Sequence, residues 1–219
     1  NTPVAQRTGL PGKNPAPGHL QMQWSSWGAS GLAGVWAEEN TRASIFDAMR
    51  RKETFATSGP RLKVRLFGGY GFNEKMLSDP QMVRKAYARG VSMGGDMKAR
   101  SGRAPDFLLW ATQDPGSAPL QRLQMVKGWI DSEGKTHEKV YDAACAGNVP
   151  VDATTNRCPD NNAKVDLESC AYSADTGDGE LKAHWQDPDY KSGENAFYYV
   201  RVLENPTCRW STWDAIRAN

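Results

Sequence analysis

The chain is poor in metal-ligating side chains and has no long apolar run. It holds three histidines and four cysteines in 219 residues. A helix needs about 20 consecutive apolar residues to cross a bilayer. The longest patches here, such as Phe107–Ala111, are strand-sized, so a membrane-spanning helix is excluded. A basic block is missing too. The 27 Lys and Arg are interspersed with 25 Asp and Glu, leaving a formal net charge of +2. No stretch would track a phosphate backbone, and nucleic acid is not an expected partner. His19, His137 and His184 have no second histidine at i+2 or i+4, which argues against a metal cluster and for exposed or hydrogen-bonded structural roles. The opening residues carry no charged-then-apolar signal pattern and begin at Asn1, and the expectation is that an upstream part was removed.

What is present describes a folded protein. Hydrophobic residues make up 39% and charged residues 24%, the mix of an ordinary globular domain. The length allows one large domain, or one domain plus a remnant of another, and the change of pattern along the chain favours the second. Cys145, Cys158, Cys170 and Cys208 fall in the last third, among Asn, Asp, Gly and Pro. Zinc sites take cysteines in close pairs, and no such pair occurs. An even number spread over loops reads as two disulfides, which places the chain in the periplasm or extracellular space. Four buried free thiols are the alternative, and three pairings remain open.

Residues 1–28, rich in proline and glycine, are expected to form an extended arm. Over 29–60 the apolar run Leu32, Ala33, Val35, Trp36, Ala37 reads as a buried strand of the parallel type. A helix follows, capped by Asn40 or Thr41, with Ile45, Phe46 and Met49 at helical spacing and Arg50, Arg51 and Lys52 at its carboxyl end. Glu53–Gly59 then makes a short strand and turn. From Pro60 the period becomes two, with Leu62, Val64 and Leu66 on one face. A helix is expected at Asp79–Arg89, with Asp79 as cap, Pro80 in the first helical position and Gly90 after its end. Strands are expected at Asp106–Thr112, Leu123–Ile130, Lys135–Asp142, Val165–Ser173 and Ala196–Leu203, with a hairpin turn at Ser132–Lys135. The fold class is therefore α+β and predominantly antiparallel β, with a β-sandwich-like domain over 61–219.

The segment with most chemical promise is the junction holding Glu38, Glu39 and Arg42, because active sites of barrel enzymes are built at strand carboxyl ends. The two glutamates would equally well complement the positive terminus of a helix. Thr57, Ser58 and Arg61 offer hydroxyls and a guanidinium for a substrate, although Thr-Ser-Gly-Pro is also a good strand terminator. Asp160–Asn162 and Asp175–Glu180 lack the spacing of a calcium loop and read as turns. Trp36, Trp110 and Trp129 fall in strands, where core packing is the default.

The run Ala29-Ser30-Gly31-Leu32-Ala33-Gly34-Val35-Trp36-Ala37-Glu38-Glu39-Asn40-Thr41-Arg42 resembles the domain of unknown function 3604 family (DUF3604). So do Ile45-Phe46-Asp47-Ala48, Glu53-Thr54-Phe55-Ala56-Thr57-Ser58-Gly59-Pro60-Arg61, Met93-Gly94-Gly95-Asp96, Val126-Lys127-Gly128-Trp129 and Phe197–Glu204. That family is similar to the PHP (polymerase and histidinol phosphatase) superfamily, which includes carbaryl-hydrolase-like metallohydrolases. The resemblance implies that 29–60 is the terminal strand–helix–strand remnant of a PHP-type β/α barrel and that a β domain is appended to it. It also implies a divalent metal held upstream and no cofactor in this chain. The partner would be the preceding part of the same protein, and Glu38, Glu39 and Arg42 would line the barrel mouth, where a metal-bound water attacks an ester, amide or phosphoester of a small molecule. A secreted β-sandwich binding module without catalysis is the alternative.

Overall fold

The computed structural model describes residues 31–100 and 102–218. The arm expected over 1–28 lies outside them. Nine strands are described: β1 (Leu32–Val35), β2 (Thr54–Thr57), β3 (Lys63–Gly69), β4 (Gly90–Ser92), β5 (Asp106–Thr112), β6 (Leu120–Ile130), β7 (Thr136–Cys145), β8 (Glu180–Gln186) and β9 (Asn195–Glu204). The helices are α1 (Arg42–Arg50), α2 (Met82–Arg89) and α3 (Trp210–Ala218).

Alternation drives the architecture. On β3 and β5, Leu66, Phe107, Leu109 and Ala111 point one way, and they meet Leu123 and Met125 of β6 with Val200 and Val202 of β9. Those contacts put the four-stranded sheet β4-β3-β5-β8 face to face with the three-stranded sheet β7-β6-β9. All pairings are antiparallel. Phe67 and Leu108 point the other way and are covered by Met82 and Ala86 of α2 and by Phe72 and Met76. The central pair β3–β5 is therefore buried on both faces, which explains its nearly continuous apolar text.

The α+β, mostly antiparallel reading holds, and the expected strands on β5, β6, β7 and β9 are present with small boundary changes. Four local readings need correction. β1 is not a buried parallel strand. It pairs antiparallel with β2, from Leu32↔Thr57 to Val35↔Thr54, and Leu32 and Ala33 are exposed. A two-stranded ribbon has one neighbour, and only its Gly34 side is closed by the Phe55 ring. Val165–Ser173 is not a strand, because Asp166 turns the chain by accepting from Glu168 N–H and Ser169 Oγ, leaving one bridge between Val165 and Tyr172. α2 starts later than expected, with Asp79 Oδ1 accepting from Gln81 N–H at 2.8 Å and Gln81, not Asp79, at the cap position. His184 lies on β8, not in a loop.

The cysteines form two disulfides, Cys145–Cys158 and Cys170–Cys208. Among the described residues no helix is long and apolar enough to cross a membrane.

Candidate functional site

The strand-to-helix junction is built by capping chemistry. Thr41 is the N-cap of α1, its Oγ1 accepting from Ser44 N–H at 3.3 Å, while Glu39 N–H donates to Ser44 Oγ at 3.2 Å. Glu38, Glu39 and Arg42 are exposed, and none forms a salt bridge among the described residues. At the far end Lys52 adopts φ +61°, with Lys52 N–H donating to Met49 O and Glu53 N–H to Ala48 O, a Schellman-type stop. Gly94 packs against that stop. A Cβ on Gly94 would sit 2.3 Å from Lys52 O, so glycine is required there.

A cleft of about 1770 Å³ opens beside β2. Its floor is the core face of β3, through Leu62, Val64, Leu66 and Gly68. Thr54–Ser58 and Val91–Met97 form one wall, and Ala196–Glu204 forms the other. Thr57 and Ser58 therefore face the cleft, while Glu38, Glu39, Arg42 and Arg61 are not among its lining residues. Thr57 Oγ1 accepts from Gly59 N–H at 3.2 Å, the arrangement of a strand-ending turn. Arg61 is held by its backbone: its N–H donates to Asp114 Oδ2 at 2.6 Å. That bond, with a second from Gly116 N–H, holds the Asp114 carboxyl below the usual range.

Two charged features carried no expectation from sequence, and of the two Glu204 lines the cleft. The first is Lys127, 1% exposed, on the core side of β6 between Met125 and Trp129. Its Nζ lies 2.7 Å from Asp187 Oδ2 and 2.9 Å from Glu194 Oε2, and donates to the Asp189 carbonyl at 3.1 Å, so all three donors are used. Tyr198 OH donates to Asp187 Oδ2 at 2.7 Å and Tyr141 OH to Asp189 Oδ2 at 2.6 Å, with Lys139 also paired to Asp189. Burial first, then the hydrogen bonds to Asp187 and Asp189, push the Tyr198 and Tyr141 phenols well up. A lysine at an apolar phase of a strand was the available signal. The second feature is Glu204, whose Oε1 is buried without a hydrogen-bond partner among the described residues. Burial raises its carboxyl, opposed by Ser117 and assisted by Asp114.

His137 Nε2 lies 2.6 Å from Asp131 Oδ2, and its ring stacks on Trp129 with centroids 5.1 Å apart. The His137 contact, with N–H donors from Lys135 and Glu133, holds Asp131 low and locks the β6–β7 hairpin turn. His184 pairs at 3.1 Å with the buried Asp106, which also accepts from Gly71 N–H at 2.6 Å and Gln186 Nε2 at 2.7 Å. Both histidines are thus engaged in structural pairs. Among the described residues no group of three or more His, Cys, Asp or Glu is arranged so that it could hold a metal ion.

No curated protein and no solved structure matches the chain. The family model described as a protein of unknown function (DUF3604) matches residues 4–219, nearly the whole chain, and the chain belongs to that family.

Proposed function

We propose that this chain is the carboxy-terminal portion of a PHP-like metal-dependent hydrolase of the periplasm or extracellular space, contributing a docking unit and part of the substrate cleft. The observation that carries this reading is the exposure, among the described residues, of three large apolar side chains of the β1–α1–β2 unit: Leu32, Phe46 and Met49 are 45%, 57% and 55% exposed. An amphipathic helix whose apolar residues face solvent is short of a partner. An upstream barrel of the same protein would supply it. The two disulfides support an oxidising compartment.

The metal that this reading implies does not fit the described residues of this chain, among which no group of three or more His, Cys, Asp or Glu could hold a metal ion. What this chain supplies in the proposal is carboxylate and guanidinium at the α1 start, from Glu38, Glu39 and Arg42, and hydroxyls at the β2 end, from Thr57 and Ser58, with Arg61 beyond them. The second reading, a β-sandwich binding module without catalysis, is favoured by the size of the cleft and by its separation from Glu38 and Glu39.

The test is to make Glu38→Gln and Glu39→Gln in the intact protein and follow hydrolysis of an ester and phosphoester panel beside thermal unfolding. The hydrolase reading expects turnover to fall by about a hundredfold in at least one variant with the melting temperature unmoved. Unchanged turnover in both would leave the glutamates as helix-terminus charges, and an intact protein inactive on every substrate would favour the binding module.

A further inference from the structure

The first described residue, Gly31, stands at the rim of the cleft. A Cβ on Gly31 would lie 2.0 Å from Thr57 O and 3.6 Å from Ser58 Cα, so the chain touches these two residues as it joins β1. Both line the cleft. Residues 1–30 are therefore tethered to its wall. Their extended reach is up to about 100 Å, roughly three times the length of β9, the ten-residue strand of the far wall.

The cleft is incompletely packed. Met93, Met97, Tyr198, Val200 and Val202 pack on the sandwich core, line the cleft and stay only partly buried among the described residues. The sequence ahead of Gly31 is suited to cover them. Leu20, Met22 and Trp24 alternate with Gln21 and Gln23, the period of an extended chain with one apolar face. Trp24 is seven residues before Gly31, which puts it within about 25 Å of the rim. Charge agrees. Residues 1–30 include Arg7 and Lys13 and no Asp or Glu. They bring no carboxylate toward Glu204, which lines the cleft with its Oε1 unpartnered among the described residues.

We propose that the occupant of the cleft is this chain's own segment Leu20–Trp24, laid over the partly buried wall so that any other ligand has to displace it. Three observations favour it over a small molecule, a free peptide or a second copy. The volume of about 1770 Å³ exceeds the 300–1,000 Å³ range of small-molecule pockets. The segment is tethered at the rim, which gives it an effective concentration in the millimolar range that a free partner has to outcompete. The family match begins at residue 4, so the segment and the cleft belong to one family unit.

The probe is p-benzoylphenylalanine, a photo-cross-linking side chain, placed in the full chain at position 22 and, in a second protein, at position 24. An equal mixture of ordinary and isotope-labelled chains is irradiated and the cross-linked peptides are mapped by mass spectrometry. The main product from at least one of the two proteins is expected to join the segment to 91–97 or 196–204 within a single chain. Replacing the other two apolar residues of the stripe by serine should lower its yield by about tenfold or more, because the apolar face is lost. The proposal is overturned if cross-links from both positions fail to form or fall outside the cleft, or if the serines leave the yield unchanged. A main product joining labelled to unlabelled chains would also overturn it, in favour of a second copy.

Discussion

The guanidinium carbon of Arg65 lies 3.6 Å from the centroid of the Trp36 ring, and this stack joins β3 of the sandwich to the residue that follows β1. The contact is one member of a chain. Arg65 Nη1 donates to Tyr87 OH at 3.0 Å, Tyr87 OH donates to the buried Glu53, and the Trp36 indole donates to Val64 O at 2.8 Å. Burial and the bond to Glu53 push the Tyr87 phenol up, against the pull of Arg65. The β1–α1–β2 unit is therefore fastened through one aromatic face and one buried carboxylate, while Phe46 is exposed among the described residues.

Replacing Arg65 by Met should cost about 2 kcal/mol, combining a desolvated cation–π contact with the loss of the cation beside Tyr87 and Glu53. Arg65→Lys should recover only part, because an ammonium does not stack as a planar guanidinium does. Urea unfolding of the three proteins, with amide exchange over Thr54–Thr57 as the local readout, checks this. Equal midpoints would show that the stack is incidental.

The sandwich was legible in sequence because its strands alternate. Leu62, Val64 and Leu66 against Lys63 and Arg65 announce β3, and the hairpin at Ser132–Lys135 follows from its turn residues. β8 has the same alternation, Leu181, Ala183 and Trp185 against Lys182 and His184, but its Asp- and Gly-rich approach reads as loop. β1 misled for the opposite reason. A short apolar run does not reveal how many neighbours it has, and β1 has one. Thr41 as cap was readable because the chemistry is local. The cleft was not, since its walls are 54–58, 91–97 and 196–204, which only the fold brings together.

Lys127 should be costly to remove. Lys127→Met leaves the buried Asp187 and the half-buried Glu194 without their cation, an effect of about 3–5 kcal/mol, and adding Asp187→Asn should restore part of it. Burial opposes the Lys127 charge, but the two carboxylates outweigh it and raise its pKa above the ordinary value. A group with a raised folded pKa contributes stability that is complete below its unfolded pKa, near 10.4. That contribution is lost as pH rises through the higher folded value. Tyr141 and Tyr198, also raised, act in the same direction. Chemical denaturation between pH 7 and 11.5 should show stability falling above about pH 10 in the parent chain and falling less steeply in Lys127→Met.

Glu204 acts with the same sign in a lower pH range. Its folded pKa is raised, so the neutral acid is favoured in the fold. Its contribution is complete below the unfolded value near 4.3 and is lost as pH rises through the folded one. Glu204→Gln keeps the shape and removes the charge, and should raise the melting temperature at pH 7 with little change at pH 4. A variant less stable at pH 7 would mean that Oε1 has a partner when ionised.

Asp142 and the Cys145–Cys158 disulfide hold the same loop, and their effects should not add. The buried Asp142 carboxylate lies 2.9 Å from Arg122 Nη1 and 3.5 Å from Arg157 Nη1. It also accepts from Gln124 Nε2 at 2.6 Å and Cys158 N–H at 2.7 Å. Asp142→Ala alone should cost about 3 kcal/mol or more, because it strands Arg122 and an N–H donor. Opening the disulfide by Cys145→Ser with Cys158→Ser should cost about 3 kcal/mol through the 13-residue separation that it closes. Once the disulfide is gone the loop can leave Asp142 and take the Cys158 N–H with it, so Asp142→Ala has less left to break. Elements that share a partner couple by about 0.5–3 kcal/mol. Urea unfolding of the parent, the two variants and their combination should therefore give a combined loss smaller than the sum by at least about 0.5 kcal/mol. Strict additivity would show that Asp142 acts on β6 and β7 alone, through Arg122 and Gln124, and that the disulfide by itself positions the loop.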